Sequence, residues 1–446
     1  MRLVLLVVLG GLMHAARSFA PERGLGADPA GTALAAGYLF LTGLLAGSLF
    51  ASIGLPRLTG YLAAGIAVGP QALGLLSEGM TSRLQIFNGV AVSLIALTAG
   101  SEMHLRSMRP LLRTIGWITV VAVLGTTLLL ALTIYLALDY LPFAADLSRL
   151  QAACLALVLA VTMVAQSPAV VVALRDETGA DGPFTRTVLG VVVLADLVVI
   201  LLFAIASSLA KASLGGDADL METSRILASE TLGSLLGGVA FGLLIALYLR
   251  KVPGGGALFV LSAAFVAAEV GQRLRLDPLL LSLAAGLTIR NLTRVAERLQ
   301  AEIEAAALPV YVAFFGIAGA TIHLDALGAL GVPALVLVAV RAAGLLAGTR
   351  AATTLAGAPE VVRRFAGFGL LPQAGLALAL AVLFARTFPE FGADAAALVF
   401  AVVALNELLA PVVYRWAILR SGEAGRRSAA VVARPHPPPR VTEPTG

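Results

Sequence analysis

The sequence predicts an all-α polytopic membrane protein with about thirteen transmembrane helices. Three observations support this fold class. Of the 446 residues, 59% are hydrophobic and only 13% are charged, whereas soluble domains carry about 25% charged residues. The mean hydropathy is +0.95. The apolar residues fall into successive runs of about 20, the length with which a helix spans a bilayer.

Charge and cysteine content exclude several other classes of protein. The net charge of +5 does not come from one basic patch, because the arginines occur in short clusters between apolar runs. We therefore expect no nucleic-acid partner. The single cysteine, Cys154, cannot form an intramolecular disulfide. The four histidines have no metal-ligand spacing and no ATPase motif is found, so we expect neither an enzyme nor a bound cofactor.

The chain divides into three predicted parts. Residues 1–20 have a positive start, a short apolar stretch and a small-residue end, which fits either a signal peptide or an extra short helix. Residues 33–420 form the predicted transmembrane domain. Residues 421–446 are rich in Pro and Arg without apolar periodicity, which predicts a disordered tail.

Thirteen apolar segments and the loops between them predict the topology. Arginine clusters follow segments three, seven, nine, eleven and thirteen, which all fall on one side if the spans alternate. Basic loops stay in the cytoplasm, so we expect a cytoplasmic C-terminus in the inner (cytoplasmic) membrane of a bacterium. The segments lie near 33–53, 57–75, 86–101, 114–138, 151–174, 187–210, 231–249, 256–272, 278–290, 305–322, 330–348, 365–386 and 394–419.

One acidic residue, Asp196, lies in the middle of the apolar run 190–203. A charged group inside a bilayer costs at least about 2.5–3.5 kcal/mol, so a charged residue retained there is a candidate for function. Desolvation favours the protonated carboxyl group, which would let Asp196 exchange a proton for a cation near neutral pH. The alternative is a structural carboxylate that holds a neighbouring helix.

One arginine, Arg341, also lies too far inside its apolar run to reach water easily. It requires either an anionic partner, for which Asp196 is the obvious residue, or the backbone carbonyl groups of a broken helix. Both interpretations place Arg341 in the core of the bundle.

Segments five and twelve are each interrupted by a proline in mid-span, Pro168 and Pro372. Because proline removes a backbone donor, carbonyl groups are freed at membrane depth. The polar side chains at these breaks are Gln166, Ser167 and Gln373. Paired interruptions in the two halves of a chain indicate the ion site of a transporter.

The order of the segments predicts two inverted repeats. Segments four and eleven, five and twelve, and six and thirteen are each seven apart, and an odd offset reverses the direction of crossing. Two six-helix repeats joined by segment seven would cross their broken helices at the membrane midplane, the architecture of alternating access. Three further acids near or within spans are secondary candidates, equally compatible with packing: Glu102, Glu269 and Glu407.

Several motifs resemble, in order, those of the monovalent cation:proton antiporter superfamily, in its Kef-type and sodium/hydrogen exchanger branch. The resemblance covers residues from about 33 to 420. The motifs are GLPRLTGYLAAGIAVGP at 54–70, LTAGSEMHLR at 97–106, Ser167-Pro168, Ala195-Asp196, Phe314-Phe315, Arg341, Pro372-Gln373, and Asn406-Glu407 through Arg420.

The resemblance implies exchange of a monovalent cation for protons by a core domain that rocks against a dimerisation domain, and hence a homodimer in the lipid bilayer. It implies that Asp196 binds the cation and the proton in turn. Gln166, Ser167 and Gln373 would surround it, and Arg341 would occupy the family's core basic position. The choice among Na⁺, K⁺ and Li⁺, the direction of transport and the pH set point do not follow from the sequence.

Two departures from the family pattern bear on stoichiometry. Ala195 stands where many electrogenic members carry a second carboxylate, and Val191 stands where electroneutral members often carry a glutamate. With one membrane-embedded carboxyl group at the match, we expect one proton per cation.

Two other functions stay open from the sequence. A sodium-coupled organic-anion carrier of similar architecture would need a roomier pocket and more polar groups near the breaks. A sensor or channel-like membrane protein would show no coupled exchange. These functions are separated by whether dissipation of a proton gradient requires an added monovalent cation.

Overall fold

The computed structural model describes residues 2–18, 29–138, 147–214, 220–252, 254–274, 276–322, 324–373, 375–388 and 391–426, and their regular secondary structure is helical throughout. A 3₁₀ turn over Arg109–Leu111 and a π-helical turn over Thr119–Leu124 connect the helices over Leu105–Met108, Leu112–Ile118 and Gly125–Ala137. The helices are α1 (Arg2–Ser18), α2 (Pro29–Ser52), α3 (Arg57–Val68), α4 (Glu78–Leu84), α5 (Ile86–Glu102), α6 (Leu105–Met108), α7 (Leu112–Ile118), α8 (Gly125–Ala137), α9 (Arg149–Val164), α10 (Pro168–Thr178), α11 (Pro183–Ser213), α12 (Leu220–Lys251), α13 (Gly256–Arg273), α14 (Pro278–Leu292), α15 (Ala296–Ala320), α16 (Leu324–Ala356), α17 (Glu360–Gly369), α18 (Gly375–Thr387) and α19 (Gly392–Ser421).

Helices lie over every one of the thirteen predicted apolar segments, which confirms the all-α membrane fold class. Within the described ranges, nine helical stretches are long and apolar enough to cross a membrane, and shorter apolar helices include α3, α13, α14 and α18. The protein is therefore a multi-pass membrane protein. The number of crossings and the inverted repeats stay predictions. At the start of the chain, α1 packs against α2 and buries Met13.

The contacts between helices divide most of the bundle into two groups. In the first group, α3, α5, α13, α14 and α15 are neighbours; in the second, α8, α9, α11, α16, α18 and α19 are neighbours. Within the first group α5 and α14 are in very close contact. A Cβ atom on Gly286 of α14 would lie 2.6 Å from the backbone nitrogen of Ser101, so only glycine permits this approach.

Both predicted interruptions are present as breaks between helices. Helix α9 ends at Val164 and α10 begins at Pro168. Helix α17 ends at Gly369 and α18 begins at Gly375. Pro168 occupies the first position of its helix, where a missing N–H group costs nothing. The chain thus leaves helical geometry on both sides of one region, where α9, α18 and α19 contact one another.

The predicted tail over 421–446 is described only as far as Arg426. Within that stretch Glu423 is buried. Its carboxylate accepts hydrogen bonds from the backbone N–H groups of Phe184 (2.8 Å) and Thr185 (2.9 Å) and from the Thr185 hydroxyl (2.9 Å). The residues that follow α19 therefore hold the N-terminus of α11, and the rest of the tail lies outside the described residues.

Candidate functional site

Asp196 lies near the middle of α11 and lines a cavity of about 750 Å³ between the two groups of helices. Its side chain is 1% exposed. Neither carboxylate oxygen has a hydrogen-bond partner among the described residues. A buried carboxylate without a partner is strongly unfavourable. The position therefore requires a proton on the carboxyl group or a cation beside it.

The lining of this cavity is acidic at a few points and otherwise mostly apolar. Its carboxyl groups belong to Asp196, Asp277 and Glu407, and no lysine or arginine lines it in the part of the chain that the structure describes. A low-dielectric cavity whose charged groups are all acidic concentrates cations and repels anions. The other polar side chains of the lining are Gln85, Asn88, Gln166, Ser167 and Thr321.

The cavity extends toward the helix ends that lie opposite the arginine-rich loops. Its lining includes Asn88 near the start of α5, Asp277 before α14 and Thr321 after α15. The arginines lie at the other ends of the same helices, with Arg106 after α5 and Arg290 in the last turn of α14.

At the arginine-rich end, polar contacts join α10, which follows the first helix break, to helices of the first group. Glu177 at the end of α10 accepts a hydrogen bond from the backbone N–H of Arg57 at the start of α3, 3.1 Å from each carboxylate oxygen. The Tyr311 hydroxyl on α15 donates to Asp176 on α10 at 3.1 Å. Direct polar contacts between helices are thus present at the end opposite to the one that the cavity approaches.

The first helix break contributes two polar groups to the cavity. The Ser167 hydroxyl accepts a hydrogen bond from Val170 N–H (3.2 Å) and so caps α10. The Gln166 side chain donates to the Val164 carbonyl (3.2 Å), while its own side-chain oxygen has no partner among the residues described. Both side chains line the same cavity as Asp196. Oxygen atoms of this kind are the ligands that hard cations prefer.

Arg341 holds the two helix breaks together. Its side chain is fully buried, and its guanidinium donates to four backbone carbonyl groups. They belong to Met163 (2.8 Å), Ala165 (2.9 Å), Leu371 (2.7 Å) and Leu370 (3.4 Å). No ion pair with Asp196 is formed, so the carbonyl interpretation from the sequence is the one observed. The physical reason is that α9 and α17 both end here, and their last carbonyls are unsatisfied and carry partial negative charge.

Gln373 also connects the two helix breaks through hydrogen bonds, although the sequence predicts it as a cation ligand. Its side-chain nitrogen donates to the Met163 carbonyl (2.6 Å), and its side-chain oxygen accepts from Asn406 on α19 (2.8 Å). It is fully buried and is not among the lining residues described for the cavity. Both ends of its amide thus take part in hydrogen bonds within the protein, and the ligand role of Gln373 stays a prediction.

A comparison with known protein families agrees with the fold. The family model described as "Sodium/hydrogen exchanger, transmembrane" matches residues 36–418. The chain belongs to the sodium/hydrogen exchanger family. Members of this family are membrane transporters that exchange cations for protons, which confirms the expectation that the chain is not an enzyme.

Solved structures show the exchanger fold independently. The sodium proton antiporter MjNhaP1 from Methanocaldococcus jannaschii, in a structure at pH 8, is similar with a TM-score of 0.64 and 15% identity, covering 87% of this chain and 98% of that chain. An electron-microscopy structure of the same antiporter gives a TM-score of 0.63 and 17% identity, covering 90% of this chain and 98% of that chain. These likenesses show a common fold.

The three secondary acids of this sodium/hydrogen exchanger family member have different surroundings. Glu407 on α19 is 4% exposed and lines the cavity. Glu102 is buried against Arg175 of α10, with which it forms an ion pair. Glu269 is exposed and accepts two hydrogen bonds from Arg273, at 2.9 and 2.7 Å. Of the three, Glu407 is the one that the structure brings to the site of Asp196.

Asp277 is a cavity residue that sequence reasoning misses. One of its oxygens, Oδ1, accepts hydrogen bonds from the N–H groups of Leu279 (2.8 Å) and Leu280 (3.0 Å), so it caps the start of α14. The available signal is an Asp-Pro pair before an apolar run, which indicates only a helix start. Nothing local shows that the end of α14 faces the cavity.

Proposed function

We propose that this chain exchanges a monovalent cation, Na⁺ or K⁺, for protons across the bacterial cytoplasmic membrane, with Asp196 as the site that both ions use. The observation that carries this function is the buried, unpartnered carboxyl group of Asp196 in a cavity lined by three acids. Family membership supports the same conclusion.

Coupling follows from the chemistry of one buried carboxyl group. The protonated group is neutral and tolerates burial, whereas the ionised group needs a cation close by. The two occupied forms exclude each other, so a cation that binds at Asp196 displaces a proton. The oxygens of Gln166 and Ser167 are the neighbouring groups proposed to complete the shell of the cation.

We place the arginine-rich end of the bundle, and with it the C-terminus, in the cytoplasm. Alternating access then requires that contacts such as Glu177 to Arg57 and Tyr311 to Asp176 break while the opposite end closes. Both contacts join α10, which follows the first helix break, to helices of the first group, which fits a motion of the helix breaks against that group. A homodimer, as implied by the resemblance, is part of the same proposal.

The acidic lining disfavours an organic-anion carrier. An anionic substrate would meet three carboxyl groups and no basic side chain among the lining residues described. Such a substrate would have to lose its hydration without gaining an opposite charge. A sensor or a leak pathway is separated from an exchanger by a transport measurement.

The test is cation-dependent proton efflux from acid-loaded proteoliposomes, with Na⁺ and K⁺ added separately. Wild-type protein is compared with Asp196→Asn and with the matched control Glu269→Gln, which removes an exposed carboxylate outside the cavity. We expect wild type and Glu269→Gln to discharge the gradient with at least one of the two cations, and Asp196→Asn to remain at the rate of empty liposomes. Cation-linked efflux by Asp196→Asn at the wild-type rate would overturn the role of Asp196. Efflux without any added cation would identify a leak.

A further inference from the structure

A second buried carboxyl group, Glu407, lies at the same depth in the bundle as Asp196. Helices α11 and α19 are fastened together at one end, because Glu423 follows α19 directly and accepts hydrogen bonds from the first residues of α11. Asp196 is thirteen residues from Pro183 at that end of α11, and Glu407 is fourteen residues from Ser421 at that end of α19. With a rise of about 1.5 Å per residue, both residues lie roughly 20 Å along their helices from the end at which α11 and α19 are joined.

The surroundings of Glu407 do not give it a structural role. It is 4% exposed, and its buried Oε1 has no hydrogen-bond partner among the residues described. It lies far from both ends of α19, so it caps no helix. The structural role belongs to its neighbour Asn406, whose side-chain nitrogen donates a hydrogen bond of 2.8 Å to the side-chain oxygen of Gln373.

The face of α19 that carries Glu407 is the face that lines the cavity. Phe400, Val403, Ala404 and Glu407 all line it, at the spacing of one helical face. The carboxyl group therefore shares one enclosed volume with Asp196, and the described lining offers it no basic partner. An unpaired carboxyl group in this position needs a proton or a cation for the same reason as Asp196 does.

We propose that Glu407 is a second cation- and proton-binding carboxyl group of the Asp196 site. This role rests on the exchange proposed above. With both groups protonated, the pair is neutral and holds two protons. A monovalent cation that enters the cavity displaces both protons, so that the cation and the two carboxylates lining the cavity together carry one net negative charge. The exchange is then two protons for one cation and moves one charge per cycle, in place of the one-to-one exchange expected from the sequence.

The experiment counts protons released for each cation bound by the purified, full-length protein in weakly buffered detergent solution. NaCl or KCl is added with a pH indicator present, choline chloride serves as the control for ionic strength, and bound cation is measured by equilibrium dialysis. We expect about two protons per cation for wild type, for Glu407→Asp and for the control Glu269→Gln, which changes an exposed carboxylate outside the cavity, because two carboxyl groups exchange protons in each. For Glu407→Gln we expect about one, and for Asp196→Asn no cation-linked release.

The outcomes separate the two proposals. One outcome is that Glu407→Gln releases as many protons per cation as wild type, while Asp196→Asn shows no cation-linked release. This would overturn the role of Glu407 and leave the exchange at Asp196 intact. Wild-type release by Asp196→Asn would overturn the exchange itself. If Glu407→Gln does not fold, the number of protons that the wild-type protein exchanges for each cation still tests the role of Glu407. At zero membrane potential, a tenfold cation gradient comes to equilibrium with a pH difference across the membrane. That difference is about half a pH unit if two protons exchange for each cation, and about one pH unit if one proton does. Balance at one pH unit would rule out a second exchanging carboxyl group.

Discussion

The guanidinium of Arg341 on α16 donates a hydrogen bond of 2.8 Å to the backbone carbonyl of Met163 on α9. The same carbonyl accepts a hydrogen bond of 2.6 Å from Gln373. One orphan carbonyl of a broken helix thus receives donors from two distant parts of the chain. Lipid supplies no hydrogen-bond donors at this depth, so the protein has to provide them. Because Arg341 is engaged with carbonyl groups, it does not neutralise the charge of Asp196, which fits the proposal that transported ions do so.

Replacement of Arg341 by lysine is expected to impair folding and transport, although the positive charge is kept. A guanidinium reaches four carbonyl groups on two breaks, and a single ammonium group cannot span them. Each lost hydrogen bond to a charged donor costs about 1.5–3 kcal/mol. We expect Arg341→Lys to lower the temperature of thermal unfolding in detergent and to reduce exchange at least about tenfold.

The matched control for this prediction is Arg350→Lys, at an exposed position on the same helix. It should leave both unfolding temperature and transport unchanged. If charge alone mattered at position 341, as in an ion pair with Asp196, Arg341→Lys would unfold and transport like wild type. That result would contradict the role of Arg341 in holding the two helix breaks together.

Asp277 is expected to attract cations into the cavity by its charge. Asparagine caps helices as well as aspartate does, so Asp277→Asn removes the charge and keeps the cap of α14. One unit charge acting through water at a few ångströms is worth about 1 kcal/mol. We therefore expect KM for the cation to rise about two- to fivefold at low ionic strength, with unchanged thermal stability. The difference should shrink in high salt, where the Debye length is about 3 Å at 1 M.

Asp277→Ala separates the two roles of this residue. It removes the charge and also the cap, so it should show the same rise in KM together with a loss of about 1 kcal/mol of stability. A KM for Asp277→Asn that does not depend on ionic strength would exclude electrostatic attraction as its function.

Glu423 is expected to stabilise the bundle by joining the end of α19 to the start of α11. Its carboxylate receives three hydrogen bonds from Phe184 and Thr185 in a buried position. Glu423→Ala leaves these donors without a partner, and each buried unsatisfied group costs about 1–3 kcal/mol. We expect a clear fall in unfolding temperature for Glu423→Ala and a smaller one for Glu423→Gln, which keeps one acceptor oxygen.

The control for Glu423 is Glu360→Gln, which changes an exposed glutamate paired with Arg363 on the surface. Surface ion pairs contribute about 0–1 kcal/mol, so its unfolding temperature should match that of wild type. Equal unfolding temperatures for Glu423→Ala and Glu360→Gln would show that the contact at α11 is dispensable.

Features that depend on local chemistry could be predicted from the amino-acid sequence alone. A bilayer demands runs of about 20 apolar residues, so the membrane segments could be recognised one at a time. The same solvent penalises buried charge and broken helices, so Asp196, Arg341, Pro168 and Pro372 were detectable without any knowledge of their neighbours. Family motifs then supplied the order of these features.

The packing of the helices determines which of these groups lie close together. Helices such as α19 are apolar on nearly every side, so their sequence contains little information about which face turns inward. The sequence therefore could not place Glu407 and Asp277 in the cavity of Asp196 while it left Glu269 outside. It also could not assign Arg341 to the carbonyl groups of two breaks, because that choice depends on packing between residues well over a hundred positions apart. The rotation and contact of whole helices determine these relationships, and hydrophobic patterning alone does not encode them.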